Sequence, residues 1–304
     1  MNIDISVVVP TYNRNYLLKK TLNSILNSES IGAVDFEILV IDNNSTDLTR
    51  LVVQEFEIKT DGIVRYILEK QQGSSPSRNR GIFESRGKYI LFTDDDQVVD
   101  TKWMKRIYVT FIQYNADIVG GKIKYLIPNN SPIWLIHLLE DNPNSIGQLD
   151  LGNSVFQVKT LQELPKGGNM AFRKKVLTDN VRFDPKIGRI GKQLLVGEET
   201  KLLKQLFKSG KIIIYQPDAI IYHILEKQRY YKKYWCKEAF GRGQSIIISS
   251  NQPSKKIKSL INLIGDIIYL LVNLIQNKND TFQIQLSVYR SAGEFYQSIK
   301  TNRK

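Results

Sequence analysis

Cysteine is almost absent from this sequence, which has one such residue, Cys236, among 304. A single cysteine cannot form a disulfide within the chain, so the sequence is not that of a small disulfide-stapled domain, and a reducing compartment fits it. Internal repeats and low-complexity tracts are lacking too. The composition, 42% hydrophobic and 24% charged, excludes a disordered chain and is typical of a globular protein with a sizeable core.

Long uninterrupted hydrophobic runs are also missing. The start, MNIDISVVVPTYNR, has no basic region, apolar stretch or cleavage site, so we expect no secretion signal. The most apolar segment, Ile257–Ile275, is interrupted by Lys258, Asn262, Asp266 and Asn273. These interruptions argue against a membrane span, which needs about 20 nearly unbroken apolar residues. Two interpretations stay open: an amphipathic helix at a bilayer surface, or a helix packed on the rest of the chain.

Positive charge is in excess and unevenly distributed. The net charge is +13, and residues 224–304 carry 14 Lys and Arg against 5 Asp and Glu, a net of +9. Part of this segment, residues 228–242 (QRYYKKYWCKEAFGR), mixes cations with aromatic residues. Such a surface attracts nucleic acid, anionic lipid or phosphorylated substrates, or is solvated and binds nothing.

The first half of the chain alternates strand and helix patterns. Helical patterns lie near 15–28, 46–57 and 76–86, and between them are short apolar strands expected at Ile5–Val9, Phe36–Ile41, Ile63–Leu68 and Lys88–Thr93. Continuous apolar strands separated by helices predict an α/β fold with a mostly parallel, doubly wound sheet covered on both faces. Such sheets bind ligands beyond the carboxyl ends of their strands.

The pattern after residue 117 is mixed. Residues 118–126 suggest a pair of strands and 134–139 a short helix, whereas 142–159 has little periodicity and is expected to be loop. A glycine turn at 166–169 enters a strand, and Val196-Gly197-Glu198-Glu199 opens a helix with Leu202, Leu203, Leu206 and Phe207 on one face and Gly210 at its end. Residues 211–215 and 219–223 look like two further strands.

Polar residues follow three of the expected parallel strands. Pro10-Thr11-Tyr12-Asn13-Arg14 follows the first, a segment beginning with Asp42 follows the second, and in the strand at 88–93 Phe92 leads into Thr93-Asp94-Asp95-Asp96. Strand ends at one sheet edge predict one shared site, although the segment from Asp42 is also a normal helix cap.

Acidic residues are the strongest local signal in these segments. Asp94, Asp95 and Asp96 repel one another, and a cation such as Mg²⁺ relieves that repulsion. Strand alternation would place Asp94 and Asp96 on one side. Each acidic group has a simpler explanation: the triplet is a solvated turn, and Glu198 and Glu199 favour a helix N-terminus. His223 is either a structural residue or a metal ligand.

Taken in order, these segments resemble the family 2 glycosyltransferases. PTYNR, DNNSTD and SRNRG before GKYILFTDDD resemble that family's nucleotide-sugar-binding half, and GGNMAFRKKVL, RFDPKIG, GEETKLLKQLFKSG and QPDAIIYH resemble its acceptor half. The resemblance covers about residues 4–225. It implies a GT-A fold in a catalytic domain at 1–223, divided into a nucleotide-sugar-binding half (1–116) and a mixed acceptor half (117–223), with a basic helical tail at 224–304. It also implies a nucleotide-diphosphate-sugar donor, Mg²⁺ or Mn²⁺, and inversion at the anomeric carbon.

The resemblance also assigns roles by position. It implies nucleotide contacts by Pro10, Thr11, Asn13, Arg14 and Arg78, and a base contact by Asp42 with Asn44 nearby. The triple Asp matches the family's Asp-x-Asp motif: Asp94 would face the ribose or its water and belong to the metal site, Asp96 would hold the metal, and Asp95 would share either task. Glu199 occupies the position of the catalytic base. The family usually has Glu-Asp here rather than Glu-Glu, so Glu198 stays an alternative. His223 matches a position that helps hold the metal or diphosphate.

Two other functions compete with this one. A metal-dependent nucleotidyltransferase would explain the sheet and the acids but would not need GGNMAFR before GEETKLL. A nucleic-acid-binding protein would explain the charge but not the acidic strand ends. We therefore expect a glycosyltransferase that uses a UDP-sugar in glycan or polysaccharide synthesis, with a glycan or lipid-linked acceptor and no nucleic acid partner. We expect it in the cytoplasm, with peripheral contact at the inner membrane face.

Overall fold

The computed structural model describes residues 3–29, 31–32, 34–142, 144, 147–189, 196–250, 256–276 and 281–301. The chain forms two compact units. The first comprises Met1–Asn130, Leu139–Asp184 and Glu199–Leu225, and the second comprises Ser131–Leu138, Pro185–Glu198 and Glu226–Lys304. The first unit contains the sheet, and the second is helical in its described part.

Strands and helices alternate at the start of the first unit, as the sequence predicts. The strands are β1 (Ile5–Thr11), β2 (Phe36–Asp42), β3 (Val64–Leu68) and β4 (Tyr89–Phe92), and the helices are α1 (Asn15–Leu26), α2 (Thr49–Lys59) and α3 (Ser74–Glu84). All neighbouring pairs in the order β3-β2-β1-β4 are parallel. The predicted parallel, doubly wound half is therefore confirmed.

The remainder of the sheet is mixed. Its elements are β5 (Gln97–Val99), α4 (Trp103–Gln113), β6 (Ile118–Leu126), α5 (Ile133–Glu140), β7 (Phe156–Gln157), β8 (Met170–Arg173), α6 (Glu198–Lys208) and β9 (Ile213–Ile224). The sheet continues from β4 in the order β8-β6-β9-β5, and β7 pairs with β9. Antiparallel β8 separates the parallel pairs of the first half from the parallel pair β6–β9.

Two strand predictions were wrong. Residues 118–126 form the single strand β6, because its central glycines serve close packing rather than a turn: a Cβ on Gly120 would lie 2.2 Å from Pro165. The segments predicted as two strands, 211–215 and 219–223, form one strand, β9, which begins at Ile213. The register shifts where Gly121 pairs with Gln216 and Lys122 with Ile220, so residues 217–219, with Pro217, bulge without ending the strand.

The segment 142–159 was predicted to be loop, and the structure corrects this in part. It contains the short strand β7 and an isolated bridge between Leu149 and Ile123. Residues 143, 145 and 146 lie outside the described part of the chain. Weak periodicity hid these pairings because two paired residues are too few to show alternation.

Both faces of the sheet are covered, which explains the continuous apolar strands. Alternate strand residues such as Val7 and Val9 pack with α1, α2 and α4 on one face. Their neighbours, such as Val8, pack with Ile82 of α3 and the Leu202, Leu203 and Leu206 face of α6 on the other. The helices thus bury the strand side chains on both faces of the sheet, and the carboxyl ends of β1, β2 and β4 lie at one edge.

Three long helices belong to the second unit: α7 (Lys232–Ser250), α8 (Lys256–Ile275) and α9 (Phe282–Thr301). Helices α7 and α9 approach closely at two glycines. A Cβ on Gly243 would lie 1.9 Å from the Arg290 carbonyl oxygen, and a Cβ on Gly293 would lie 2.0 Å from that of Phe240. Helix α8 packs against α9.

Helix α8 has a feature that the sequence argument discounted. By length and composition alone, residues 257–275 could cross a membrane, despite the polar interruptions. Only 11% of the most apolar stretch is buried within the protein, so α8 is not a core helix. The polar residues therefore do not exclude contact with a bilayer, and their placement on the helix decides what they do.

Candidate active site

Three polar segments meet at the edge of the sheet where β1, β2 and β4 end. Thr11 pairs in register with Asp42, and β4 runs parallel to β1 on its other side. Asn13 links the first two segments: its backbone N–H donates to Ser45 Oγ at 2.9 Å, and its Oδ1 accepts from the Thr46 N–H at 2.7 Å. Asn13 adopts a positive φ of 53°, which an asparagine tolerates well. Pro10 lies within β1, one residue before this turn.

Asp95 anchors the acidic turn to the end of β1. Its Oδ2 accepts from Thr11 Oγ1 at 2.8 Å, and its Oδ1 accepts from Arg14 Nη1 at 3.0 Å. The side chain is buried. Burial, which Arg14 and Thr11 oppose and the neighbouring carboxylate of Asp96 reinforces, raises the pKa of Asp95 to about 6. Asp95 therefore holds Arg14 rather than facing open solvent.

The expectation that Asp94 and Asp96 share one side by strand alternation was wrong. Strand β4 ends at Phe92, so the three acids lie in a turn, where a period of two does not apply. Asp95 and Asp96 share a partner instead, because Arg14 Nη1 also lies 3.3 Å from Asp96 Oδ2. Asp94 points to a different cation, Arg78, whose Nη2 is 3.1 Å from Asp94 Oδ1.

Arg78 connects the acidic turn to α6. The same Nη2 atom lies 3.1 Å from Glu199 Oε1, in the first turn of that helix. Arg78 is buried, whereas the side chains of Asp94 and Glu199 are partly exposed. Of the two glutamates proposed from sequence, Glu199 thus joins this cluster. Glu198 is buried at the first position of α6.

Gly167 and Gly168 leave room for these acids. A Cβ on Gly167 would lie 2.1 Å from Glu199 Oε1, and a Cβ on Gly168 would lie 2.2 Å from Gln97 Nε2 and 2.9 Å from Asp94 Oδ2. Gly168 also has φ of +87°, which disfavours any side chain there. The backbone of the glycine turn therefore lies so close to these side chains that no residue larger than glycine fits there without displacing them.

His223 and Gln97 complete the acidic side of the site. His223 Nδ1 lies 3.3 Å from Asp96 Oδ1, and its Nε2 lies 3.1 Å from Gln97 Nε2. Gln97 Oε1 accepts the Asp94 N–H at 2.9 Å, so the amide orientation is fixed and its Nε2 donates to the ring. The proton of a neutral His223 consequently resides on Nδ1, on the side of Asp96.

Asp42 is held at the end of β2 by two donors. Its Oδ1 accepts the Ser45 N–H at 2.9 Å, and its Oδ2 accepts Tyr66 Oη at 2.8 Å. Burial and the Asp42 carboxylate raise the pKa of Tyr66 to about 12, so the hydroxyl stays protonated and remains a donor. Asn44, two residues on, is exposed with φ of 64°. Asp42 is thereby oriented before any ligand arrives.

Sequence reasoning missed three buried residues that fix this geometry. Gln97 orients Asp94 and His223, as described. Asn169 accepts from Trp103 Nε1 and donates to the carbonyls of Lys122 and Ala219, each at 2.8 Å. Asn43 accepts the Gly73 N–H at 2.7 Å, which positions the start of α3 and hence Arg78. In the sequence, each of the three directly follows a motif residue: Gln97 follows Asp96, Asn43 follows Asp42 and Asn169 follows Gly168. A polar side chain in such a position, with no chemical role of its own, was the signal that could have found them.

A divalent cation suits part of this arrangement. Within the part of the chain that the structure describes, no cluster of three or more His, Cys, Asp and Glu side chains could hold a metal on its own. Asp96 provides hard oxygen ligands, and Mg²⁺ commonly takes its remaining ligands from water and substrate phosphates. His223 would fit only after Nδ1 loses its proton and the Gln97 amide turns. The residues thus fit a metal that arrives with a phosphorylated ligand.

Comparison with known proteins agrees with this site. The model of the glycosyl transferase family 2 matches residues 6–180, more than half of the chain and all of the acidic turn. The chain belongs to glycosyl transferase family 2. The match ends before Glu199 and His223, so the roles of these two rest on geometry and on the motifs around them.

Two curated relatives show how far the likeness extends. Glycosyltransferase AglE of Haloferax volcanii is 26% identical over 219 residues, which are 72% of this chain and 66% of AglE. The GalNAc(5)-diNAcBac-PP-undecaprenol beta-1,3-glucosyltransferase of Campylobacter jejuni is 40% identical over 94 residues, which are 30% of this chain and 29% of that enzyme. The chain thus spans less than two thirds of the length of these relatives.

Two solved structures share the fold. S. aureus TarS 1–349 in complex with UDP has a TM-score of 0.55 at 17% identity, covering 97% of this chain and 91% of the TarS chain. The mannosyltransferase PcManGT from Pyrobaculum calidifontis, in complex with GDP-Man and Mn²⁺, has a TM-score of 0.65 at 14% identity, covering 97% and 88%. At such identities the likeness establishes the fold alone, which is the GT-A-like α/β fold that the sequence predicts.

Proposed function

We propose that this chain is an inverting glycosyltransferase that moves a sugar from a nucleotide-diphosphate donor to an acceptor hydroxyl. The observation that carries the proposal is the Arg78 bridge between Asp94 and Glu199. It places a partly exposed carboxylate across from the acidic turn, at the sheet edge where α/β proteins bind nucleotides. The UDP in the TarS complex supports a UDP-sugar as donor.

Residues at the ends of β1 and β2 would bind the nucleotide. Asp42, fixed by Tyr66 and Ser45, offers a carboxylate that can accept N–H groups of a base. Thr11, Asn13 and Arg14 border the same edge beside Asp95. Arg14 and Arg78 supply positive charge for the diphosphate, and guanidinium groups suit phosphate oxygens in particular.

Glu199 is the proposed base. Its carboxylate would accept the proton of the acceptor hydroxyl while that oxygen forms its bond to the anomeric carbon. The bond from that carbon to the diphosphate oxygen breaks in the same displacement, so the configuration inverts and the nucleotide diphosphate leaves with the electron pair. Glu198 is the alternative base, and the variants discussed below distinguish the two.

Asp96, with Asp94 and His223, would hold a Mg²⁺ or Mn²⁺ ion. When bound, such an ion acts as a Lewis acid that stabilises charge on the departing diphosphate. The Mn²⁺ bound with GDP-Man in PcManGT supports this assignment. Arg14 lies within 3.3 Å of Asp96 and would turn toward the diphosphate when the carboxylate takes another partner.

A lipid-linked glycan is the proposed acceptor, and the proposed place of action is the cytoplasmic face of the membrane. The PP-undecaprenol acceptor in the name of the Campylobacter relative supports the first point. The net charge of +9 in residues 224–304 supports the second, because cytoplasmic leaflets carry anionic lipids. We also propose that the catalytic domain ends near residue 223 and that the basic tail begins there.

A nucleotide-sugar panel tests the proposed activity. The full chain is mixed with UDP- and GDP-sugars, each with Mn²⁺, Mg²⁺ or chelator, and the melting temperature and released nucleotide are measured. A true donor raises the melting temperature by mass action and releases nucleoside diphosphate only with metal. Release of pyrophosphate would instead indicate a nucleotidyltransferase. No shift and no release with any donor would refute the proposal.

A further inference from the structure

Helix α8 is amphipathic in the opposite sense to an ordinary surface helix. Its polar side faces the protein: Ser259 hydrogen-bonds Ser298 of α9 at 3.3 Å, and Asp266 accepts from Ser291 of α9 at 2.5 Å. Asn273, on the same side, is only 4% exposed. Residues 259, 266 and 273 repeat every seven positions and therefore form one stripe along the helix.

The outward side of α8 is mainly aliphatic, and the exposed polar residues among its described side chains, Lys258 and Asn262, lie near its start. Ten Ile, Leu and Val side chains between Ile257 and Ile275 are exposed, among them Ile261, Ile264, Ile268 and Leu271 at its centre. We name this exposed set the apolar face. It extends about 27 Å along the helix at about 1.5 Å per residue. Soluble monomers rarely leave an apolar patch of this extent exposed to water.

From this arrangement we infer that the apolar face of α8 inserts into a lipid bilayer. Polar groups that hydrogen-bond to a neighbouring helix, with aliphatic side chains outside, are the arrangement expected where lipid replaces water. The occupant is anionic lipid, because residues 224–304 carry a net charge of +9 and Lys258, at the start of α8, is exposed. The inference specifies the membrane attachment proposed above and does not depend on transferase activity.

Charges on α9 indicate that α8 lies in the plane of the membrane rather than across it. Arg290 is exposed on α9, and Glu294 lies one turn further along. A spanning α8 would draw this partner into the hydrocarbon or leave Asp266 there without Ser291, and charged groups at that depth are costly. When α8 lies in the membrane–water interface, it buries only its apolar face in lipid, and α9 stays outside the hydrocarbon.

A second copy of the chain is the competing occupant. Protein interfaces are enriched in aromatic residues, Met and Arg, whereas this face consists of Ile, Leu and Val with a single exposed tyrosine, Tyr269. The composition therefore favours hydrocarbon chains over a protein partner.

Vesicle sedimentation with the full chain tests the inference. The wild type should pellet with phosphatidylglycerol/phosphatidylcholine vesicles and less with phosphatidylcholine alone, and part of the binding should persist at high salt because the apolar contribution is not screened. Ile268→Glu should lower the partition coefficient at least tenfold. The control is Ile58→Glu on α2, where an isoleucine that is more exposed than Ile268 lies outside the apolar face, and its binding should be unchanged.

A second variant measures contact directly. Ile268→Trp should show a blue shift of its added fluorescence on vesicle binding, and shallow brominated lipids should quench it more strongly than deep ones. Equal binding by Ile268→Glu and wild type, or an unshifted tryptophan, would overturn the inference. A lipid-free dimer that Ile268→Glu dissociates, without vesicle binding, would assign the face to a second copy. Deeper quenching would overturn the in-plane placement.

Nucleotide release without vesicles separates this inference from the proposed activity. Ile268→Glu should release nucleotide from the donor at the wild-type rate, which also shows that it folds. A chain that binds vesicles but turns over no donor would defeat the proposed activity and keep the inference. Donor turnover by a chain that binds no vesicle would do the opposite.

Discussion

Arg78 Nη2 lies 3.1 Å from both Asp94 Oδ1 and Glu199 Oε1, so a single nitrogen joins the acidic turn to α6. The two carboxylates come from segments more than 100 residues apart in the chain. A displacement of the Arg78 guanidinium would therefore alter its contacts with both carboxylates. The cluster thus couples the donor side of the proposed site to the proposed base.

Glu199→Gln separates binding from chemistry. The amide keeps the shape of the side chain but cannot accept a proton, so turnover should fall by roughly 10²–10⁴-fold while donor affinity is retained. Single-turnover transfer and donor titration measure the two effects. The matched variant is Glu198→Gln, which should transfer normally. If the pattern appears in Glu198→Gln instead, Glu198 is the base, and if it appears in neither, the base lies elsewhere.

Gly167→Ala tests the clearance beside Glu199. The added Cβ would lie 2.1 Å from Glu199 Oε1, so the carboxylate must shift. A displacement of about 1 Å can cost about 10²-fold in rate. The control is Gly265→Ala on α8, where a Cβ meets nothing within 4 Å, and its donor turnover should equal the wild type. Equal turnover by both variants would show that Glu199 needs no fixed position.

Asp96→Ala tests the metal assignment. Removing this carboxylate should abolish transfer and most metal-dependent donor binding, since Asp96 would hold the cation that neutralises the diphosphate. Asp94→Ala should weaken donor binding less completely. Calorimetric titration of Mn²⁺ with and without donor, alongside transfer at buffered metal concentration, gives both readouts. Undiminished turnover by Asp96→Ala would refute the role.

Tyr66→Phe should raise the KM for the donor and leave kcat nearly unchanged. The variant removes the 2.8 Å hydrogen bond to Asp42 but keeps the ring, which lies 3.9 Å from the Arg50 guanidinium carbon. Hydrogen bonds to charged groups contribute about 1.5–3 kcal/mol, which corresponds to roughly ten- to a hundredfold in affinity as an upper range. Tyr16→Phe, at an exposed tyrosine of α1, is the control. A lower kcat with an unchanged KM would show that Tyr66 does not act in binding the nucleotide base.

The fold was largely predictable because local patterns agreed with the global arrangement. The continuous apolar runs before Pro10 and Asp42 correctly indicated strands buried on both faces. Errors arose where one residue type serves two purposes. Gly120 and Gly121 permit close packing within β6, and Pro217 sits in a bulge of β9, yet in sequence both resemble breaks.

The site was less predictable than the fold because its geometry depends on tertiary contacts. Sequence spacing singled out Asp94 and Asp96 but could not show that β4 ends at Phe92, which cancels the expected alternation. Nor could it show that Gln97 would contact His223, 126 residues away. Motifs name the reactive groups, whereas buried amides from elsewhere in the chain orient them.

Asp95 should make stability depend on pH in a characteristic direction. Its pKa is about 6, raised by burial above the ordinary value of 3.8, so the folded state favours the protonated acid. This contribution to the unfolding free energy is complete below about pH 4 and is lost as the pH rises through 6. Asp95→Asn is neutral throughout, so its stability relative to the wild type should increase between pH 4 and 7. Urea unfolding with chelator at several pH values measures this difference.

Asp47→Asn is the control of opposite sign: burial would raise the pKa of Asp47, but the Thr49 and Asn15 hydrogen bonds outweigh it and lower that pKa. Its stability relative to the wild type should rise as the pH falls toward and below 4. A flat difference for Asp95→Asn, with the expected trend for Asp47→Asn, would mean that Arg14 compensates the buried charge fully.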